Sequence, residues 1–237
     1  MKRFYKLVTS QAEPAGGFSI RLDGKPVKTP SGQMVVAPVS ALADGIVAEW
    51  AAQGENIVPD TMPLTQILIT AIDRVAGERK TMTDMVAVYL DTDLLCYQTE
   101  DPPELSAQQN AAWAPARDWF ARVSGVALIV TPGLSAIRQP EAAHKYVRQA
   151  MDAMDLYQFT VFQLVTVVSG SIVLGLAFMD GAVTPDDVFI AANVEDLYRA
   201  EIYNEALYGP APHQEKQRTT MRADLNAARD FLDRLKS

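Results

Sequence analysis

The chain has 237 residues, 49% of them hydrophobic and 21% charged, which is typical of a globular protein with one or two domains. Its formal net charge of -8 disfavours binding to nucleic acid or to an anionic membrane surface, because both require clustered lysine and arginine. The single cysteine, Cys96, permits no intramolecular disulfide, and two histidines provide few ligands for a metal centre.

The first 38 residues have the pattern of a small β-sheet. Residues 18–22 and 25–29 alternate apolar and polar positions on either side of Asp23-Gly24, and this dipeptide strongly indicates a hairpin turn. Residues 33–37 form one more short apolar run. A sheet of three or four short strands cannot bury a large core, so we expect it to pack against helices.

Helical periodicity begins at Ser40, a candidate N-cap, and the first helix is predicted to end near Gly54. On this helix Trp50 follows Ile46 by four residues, so we expect it to pack between the β-rich part and the helices. Further helices are predicted at residues 64–75, 81–90, 104–123, 140–154, 156–179, 184–208 and 213–236.

These elements predict an α+β protein with a small β-rich part followed by a larger, multi-helical part. The predicted domains are residues 1–55, with strands and one packing helix, and residues 56–237, which are all helical.

Residues 156–179 contain no charged side chain and are long enough to cross a bilayer as a helix. Several polar residues lie in the first half, and the flanking residues, Asp155 and Asp180, are acidic rather than basic. We therefore predict a buried helix of a water-exposed bundle and no stable membrane insertion, with a membrane-associated assembly factor as an alternative.

Common catalytic and nucleotide-binding motifs do not occur in the sequence. It contains no P-loop, no Gly-x-Gly-x-x-Gly, no His-Glu-x-x-His, no Cys-x-x-Cys and no Gly-x-Ser-x-Gly. His144 and His213 lie in polar helical contexts, so we predict that both are solvated. Cys96 lies between Leu95 and Tyr97 and is predicted to be a buried, inert thiol.

Asp91 and Asp93 form a pair of acids between two apolar runs. Two carboxylates this close could bind a divalent cation or act as acid and base, which would make the protein a metal-dependent enzyme of unknown type. The alternative is a turn in which Asp91 ends one element and Asp93 caps the next. We favour the turn, and with it a protein that has no metal and no cofactor. Asp91 and Asp93 are also candidate partner-binding residues.

The helix predicted at residues 184–208 carries a second acidic group. Its start is well marked, since Thr184 can cap it, Pro185 suits the first position and two aspartates face the helix dipole. The group comprises Glu195, Asp196, Tyr198, Glu201, Ile202 and Glu205. Acidic and apolar side chains of this kind suit protein recognition. A solvated helix face is equally consistent with the pattern.

An ordered set of short motifs resembles the family of ATP synthase assembly chaperones of the Atp-twelve type. These motifs are RLDGKPVKTP at residues 21–30, AEW at 48–50, YLDTD at 89–93 with Cys96-Tyr97, WAP at 113–115 with Asp118-Trp119, and VEDLY at 194–198. The resemblance covers nearly the whole chain.

The resemblance implies a non-enzymatic chaperone with a β-rich N-terminal part and a helical C-terminal part. Its client would be the free alpha subunit of the ATP synthase catalytic head, shielded until it pairs with the beta subunit. The resemblance also implies that an acidic residue in the penultimate long helix is functional, and the matching position is Glu195. Because no presequence is visible, we expect a bacterial, cytoplasmic protein, with mitochondrial relatives in eukaryotes, and we expect a monomer.

Overall fold

A four-stranded antiparallel sheet begins the fold in the computed structural model, which describes residues 1–202 and 212–237. The second strand lies in the centre and pairs with the other three; the strands are β1 (Val8–Ala12), β2 (Phe18–Leu22), β3 (Lys25–Pro26) and β4 (Val36–Ala37). Asp23 and Gly24 both have positive φ, 48° and 79°, and therefore form the tight turn that the Asp-Gly pair predicts. The strands after this turn are shorter than predicted.

Helices occupy most of the remaining chain, and the predicted α+β class is confirmed. The helices are α1 (Ser40–Ala51), α2 (Pro63–Thr70), α3 (Ala76–Ala87), α4 (Pro103–Ser124), α5 (Glu141–Asp152), α6 (Leu156–Ser169), α7 (Ile172–Asp180), α8 (Pro185–Ile202) and α9 (Pro212–Leu235). Short 3-10 helices lie at Pro59–Thr61, Val88–Thr92 and Leu94–Cys96.

Two predicted helix boundaries are wrong. A π-helical turn at Ala71–Val75 joins α2 to α3, so the helices predicted at 64–75 and 81–90 form one continuous helical stretch. Ser40 is the first residue of α1, and Val39 takes the N-cap position without a side-chain hydrogen bond. Both errors concern helix ends, where local sequence signals are weakest.

The uncharged segment 156–179 is two helices rather than one. Gly170 adopts φ 69°, which ends α6, and the Ser171 hydroxyl then accepts a hydrogen bond from Leu174 N at 3.0 Å at the start of α7. Gly175 meets α6 so closely that a Cβ there would lie 2.3 Å from Thr166 Oγ1. Across the part of the chain that the structure describes, no helix has both the length and the hydropathy needed to cross a membrane.

By the density of residue contacts, the chain divides into two compact units. The first unit consists of Met1–Arg79, Leu156–Val161 and Asn226–Ser237, and the second of Lys80–Asp155 and Phe162–Leu225. The domain boundary predicted at residue 55 stays a prediction, since grouping by contacts is not a test of independent folding.

In the first unit, α1 packs on β1, β2 and α2. The Glu49 carboxylate accepts hydrogen bonds from Leu64 N at 2.7 Å and Thr65 N at 2.8 Å, and so it caps the N-terminus of α2. Burial raises the pKa of Glu49, while these donors oppose that rise.

The next residue, Trp50, packs edge-to-face on Tyr5 with ring centroids 5.8 Å apart, and the Tyr5 hydroxyl donates to Trp50 O at 2.7 Å. The AEW motif therefore ties three elements together.

We expect Trp50→Arg to lower the free energy of unfolding by about 3 kcal/mol or more, because it would place an unpaired charge at a residue that is only 9% exposed. Trp50→Phe is the matched control. Because Trp50 Nε1 has no hydrogen-bond partner among the described residues, this variant loses only side-chain volume, and we expect its free energy of unfolding to fall by about 1–2 kcal/mol. Urea unfolding and thermal melting measure both variants. An unchanged melting temperature in Trp50→Arg would contradict the buried position.

Candidate functional site

The acidic helix α8 belongs to the second unit, where it packs against α4 and α7. It begins with a capping box: Thr184 Oγ1 accepts from Asp187 N at 3.1 Å, and Asp187 Oδ2 accepts from Thr184 N at 2.8 Å. The predicted start of this helix is confirmed. The predicted end near Tyr208, together with Glu205, lies outside the described residues.

Two side chains of α4 fix the rotational position of α8. Trp113 Nε1, fully buried, donates to Ala191 O at 2.8 Å. Gln109 is also fully buried, and its Nε2 donates to Glu195 Oε1 at 3.0 Å while its Oε1 accepts from Thr99 N at 2.7 Å. Because a buried amide that satisfies both of its ends is expensive to displace, Gln109 holds the Glu195 carboxylate in one place.

Sequence reasoning missed Gln109. Its spacing from the buried residues Trp113, Ala116 and Phe120 is four, seven and eleven residues, which is the spacing of one helix face. A glutamine in line with such residues has to be buried, and a buried amide needs polar partners. The position of Gln109 on this apolar helix face is therefore the sequence feature that predicts its burial.

Glu195 faces water in part, with 47% of its side chain exposed. It pairs with Arg199, whose Nη2 lies 3.7 Å from Glu195 Oε2 and whose Nη1 lies 3.5 Å from Asp196 Oδ1, while Arg218 donates to the backbone Asp196 O at 3.3 Å. Both distances from Arg199 are long and all three paired side chains are about half exposed or more, so these pairs contribute little to stability. The carboxylates of Glu195 and Asp196 therefore stay open to another cation.

The other predicted residues of this face are placed less firmly. Glu201 accepts a hydrogen bond from Gln108 Nε2 at 3.3 Å, and its side chain is exposed. Tyr198 is half-buried, and Ile202, 58% exposed, is the last described residue before the gap. Glu195 is thus the member of the predicted group that a buried partner positions.

Asp91 lies outside this group, because its described contacts are to other elements than α8. Its Oδ1 accepts from Gln139 N at 2.8 Å and lies 2.9 Å from His144 Nε2. The prediction that His144 is solvated is wrong, since the ring is half-buried and bonded to Asp91. This contact joins residues 53 positions apart, which no local pattern reveals.

Asp93 is fully buried and caps the 3-10 helix Leu94–Cys96. Its Oδ1 accepts from Leu95 N at 3.0 Å, and its Oδ2 accepts from Val173 N at 3.0 Å in the first turn of α7. The expectation that Asp93 caps the next element is confirmed. Burial raises the pKa of Asp93 to about 6, and these N–H donors oppose the rise.

The contacts of Asp91 and Asp93 suit structural carboxylates, since backbone N–H groups donate to both oxygens of Asp93 and to Oδ1 of Asp91. Within residues 1–202 and 212–237, no three His, Cys, Asp or Glu side chains are grouped so that they could hold a metal ion. Nearby, burial raises the pKa of the Cys96 thiol to about 12, so almost no thiolate forms at neutral pH.

Comparison with known proteins gives consistent results. The family model described as "ATP12 chaperone protein" matches residues 2–121. The mitochondrial protein atp12 of Schizosaccharomyces pombe is 25% identical over 210 residues, which cover 84% of this chain and 72% of that protein.

Solved structures match almost the whole chain. The crystal structure of Atp12 from Paracoccus denitrificans superposes with a TM-score of 0.86 at 29% identity, over 98% of this chain and 97% of that one. A putative chaperone from Agrobacterium tumefaciens superposes with a TM-score of 0.89 at 33% identity, over 99% and 86% of the two chains.

Asp93 should make the stability of the protein depend on pH. Its folded pKa of about 6 exceeds the ordinary value of 3.8, so the folded state binds more protons between these values and loses stability as pH rises through them. The shift corresponds to about 3 kcal/mol. We expect Asp93→Asn to remove this contribution, so that the difference in unfolding free energy between wild type and variant changes by that amount between pH 4 and pH 7.

Urea unfolding at both pH values measures this difference, with Asp118→Asn as the control for loss of an exposed carboxylate. A difference between wild type and Asp93→Asn that is the same at both pH values would contradict the buried, proton-binding carboxyl.

Proposed function

The chain belongs to the ATP12 chaperone protein family, a family of chaperones for ATP synthase assembly, and we propose that its client is the free alpha subunit of the catalytic head. The observation that carries the proposal is the contact between buried Gln109 and Glu195, which holds one carboxylate of an acidic helix face toward solvent. The residues of this client-binding face are Glu195, Asp196, Tyr198, Glu201 and Ile202. The sequence also suggests Asp91 and Asp93 for partner binding; this stays a prediction, and their described contacts, to Gln139 N and Val173 N, lie outside α8.

A free subunit of an oligomeric enzyme exposes an interface that is buried in the assembly. Such surfaces aggregate when they are uncovered. A subunit that binds nucleotide also presents basic groups, and an acidic helix face complements these and speeds encounter. The net charge of -8 on the chain acts in the same direction.

The exposure of the acidic face suits a partner that must later be released. Glu195 and Asp196 have 47% and 48% of their side chains exposed, so pairing them with client cations requires only partial removal of water. Pairs of this kind are screened by salt and exchange readily. The beta subunit could then displace the chaperone without breaking a desolvated ion pair.

The same proposal includes the setting in which the chain works. It acts as a monomer in the bacterial cytoplasm, binds its client without a cofactor and performs no catalysis. Membership of a chaperone family supports a non-catalytic role, and the similar bacterial structures support a bacterial setting.

We expect the chain to capture the alpha subunit of the same organism when the two are co-expressed, and not to capture the beta subunit. Affinity capture followed by gel filtration measures the complex. If alpha is not captured while it still aggregates, the proposed client is wrong.

Charge reversal at Glu195 should weaken this capture while leaving the fold intact. We expect Glu195→Lys to reduce the affinity by roughly tenfold or more, because it removes an attractive charge and adds a repulsive one. Glu195→Gln keeps an acceptor for Gln109 and separates loss of charge from loss of shape. Glu141→Lys, at an exposed glutamate of α5, is the matched control. Equal capture by Glu195→Lys and wild type would exclude this face as the binding site.

A further inference from the structure

An apolar groove lies between α4 and α8, entirely within the second unit, with a volume of about 490 Å³. Small residues of α4 form one wall, and the larger aliphatic residues Ile190, Val194 and Leu197 of α8 form the other. On α8 these positions follow a spacing of four and three residues, which places them on one helix face. The groove is therefore a continuous apolar strip beside the acidic face.

Ile190 is the exposed member of this wall. The residue is 45% exposed, whereas Val194, one turn later in the same wall, is only 5% exposed. A large aliphatic side chain half in water at the edge of a groove gains free energy when another apolar surface covers it.

Charge differs sharply between the groove and its rim. Among the described residues that line it, Asp187 is the only charged one, and its Oδ2 already accepts from Thr184. At the other end, Gln108 lines the groove and donates to Glu201. The apolar wall from Ile190 to Leu197 rises about 10 Å, or two turns of α8, and Asp187 and Glu201 lie beyond its two ends.

We propose that this groove binds an amphipathic helix of the client, whose apolar face fills the strip and whose flanking lysines or arginines meet the acids at the rim. The inference rests on the proposed function and deepens it by naming the chemistry of the segment that is bound. Charge complementarity carries it: α8 has five acidic residues and one arginine over Pro185–Ile202. Arg222 of α9 pairs with Asp186, and Glu195, Asp196 and Glu201 provide the negative charge near the other end. A helix laid along a groove matches apolar positions at three- and four-residue spacing.

Other occupants fit less well. A small polar ligand would find few convergent hydrogen-bonding groups, since Gln108 and Asp187 are the only polar side chains in the described lining. A second copy of the chain, if it used the same face, would bring two acidic α8 helices together, which like-charge repulsion opposes.

Filling the groove tests the inference. Ala111 lines the groove and is exposed, so Ala111→Trp should fold normally and occupy the space that the client helix needs. Ala142→Trp is the matched control, an exposed alanine on α5 that does not line this groove. We expect Ala111→Trp to weaken capture of the alpha subunit by roughly tenfold or more, with the control unchanged and both melting temperatures close to wild type.

The failure of the inference can be distinguished from the failure of the proposed function. If wild type captures alpha and Ala111→Trp captures it equally well, the groove is not the site and the function stands. If Ala111→Trp instead dissociates a wild-type dimer in gel filtration, the occupant is a second copy and the inference is overturned.

A synthetic peptide tests the groove even if wild type does not capture alpha. The probe is a helical peptide with leucines on one face and flanking lysines, compared with the same peptide carrying glutamates instead of lysines. We expect the lysine peptide alone to bind wild type, more weakly at high salt, and not to bind Ala111→Trp. The inference is wrong if neither peptide binds wild type, if both peptides bind it equally, or if Ala111→Trp binds the lysine peptide as wild type does.

Discussion

The second unit depends on one buried carboxylate. Asp93 accepts hydrogen bonds from the 3-10 helix that follows it and from the first turn of α7, and Leu94 N next to it donates to Gly170 O at 3.1 Å. Removing a charge from water costs several kcal/mol, and the aligned N–H groups at a helix start are among the few partners that offset this cost. The break in the apolar segment at Gly170 and Ser171 is what creates this helix start. Burial of Asp93 and the helix break at Gly170, 77 residues later, therefore stabilise each other.

The position of α8 depends on the packing of α4 in the same unit. Gln109 and Trp113 lie one turn apart and bond to Glu195 and Ala191, which are also about one turn apart. Two such contacts fix both the register and the rotation of one helix on another. The acidic face and the apolar groove beside it are consequences of this docking, because a helix with a different rotation would bury other side chains. The geometry of this surface is thus an outcome of core packing.

Local signals in the sequence predicted the parts of the fold that local chemistry decides. The Asp23-Gly24 turn and the capped start of α8 at Thr184 are examples, because each depends on residues within four positions. The contact of His144 with Asp91 and the burial of Gln109 depend on partners far along the chain, and periodicity in one segment carries no information about them. The break in segment 156–179 was only partly predictable. Gly170 is a possible helix end, but a glycine in an apolar helix can instead allow close packing, as Gly175 does. The acidic residues of the site were visible in the sequence, whereas the residue that positions Glu195 was not.

Gln109 also links two places that are separate in sequence. One side-chain amide joins the backbone N–H of Thr99 to the carboxylate of Glu195, so neither hydrogen bond can change its geometry without affecting the other. By thermodynamic linkage, a cation that binds Glu195 alters the free energy of breaking the Thr99 N–H hydrogen bond, and breaking that bond alters the free energy of cation binding by the same amount. The exchange rate of the Thr99 amide proton with solvent deuterium is accordingly an internal readout of the state of the acidic face.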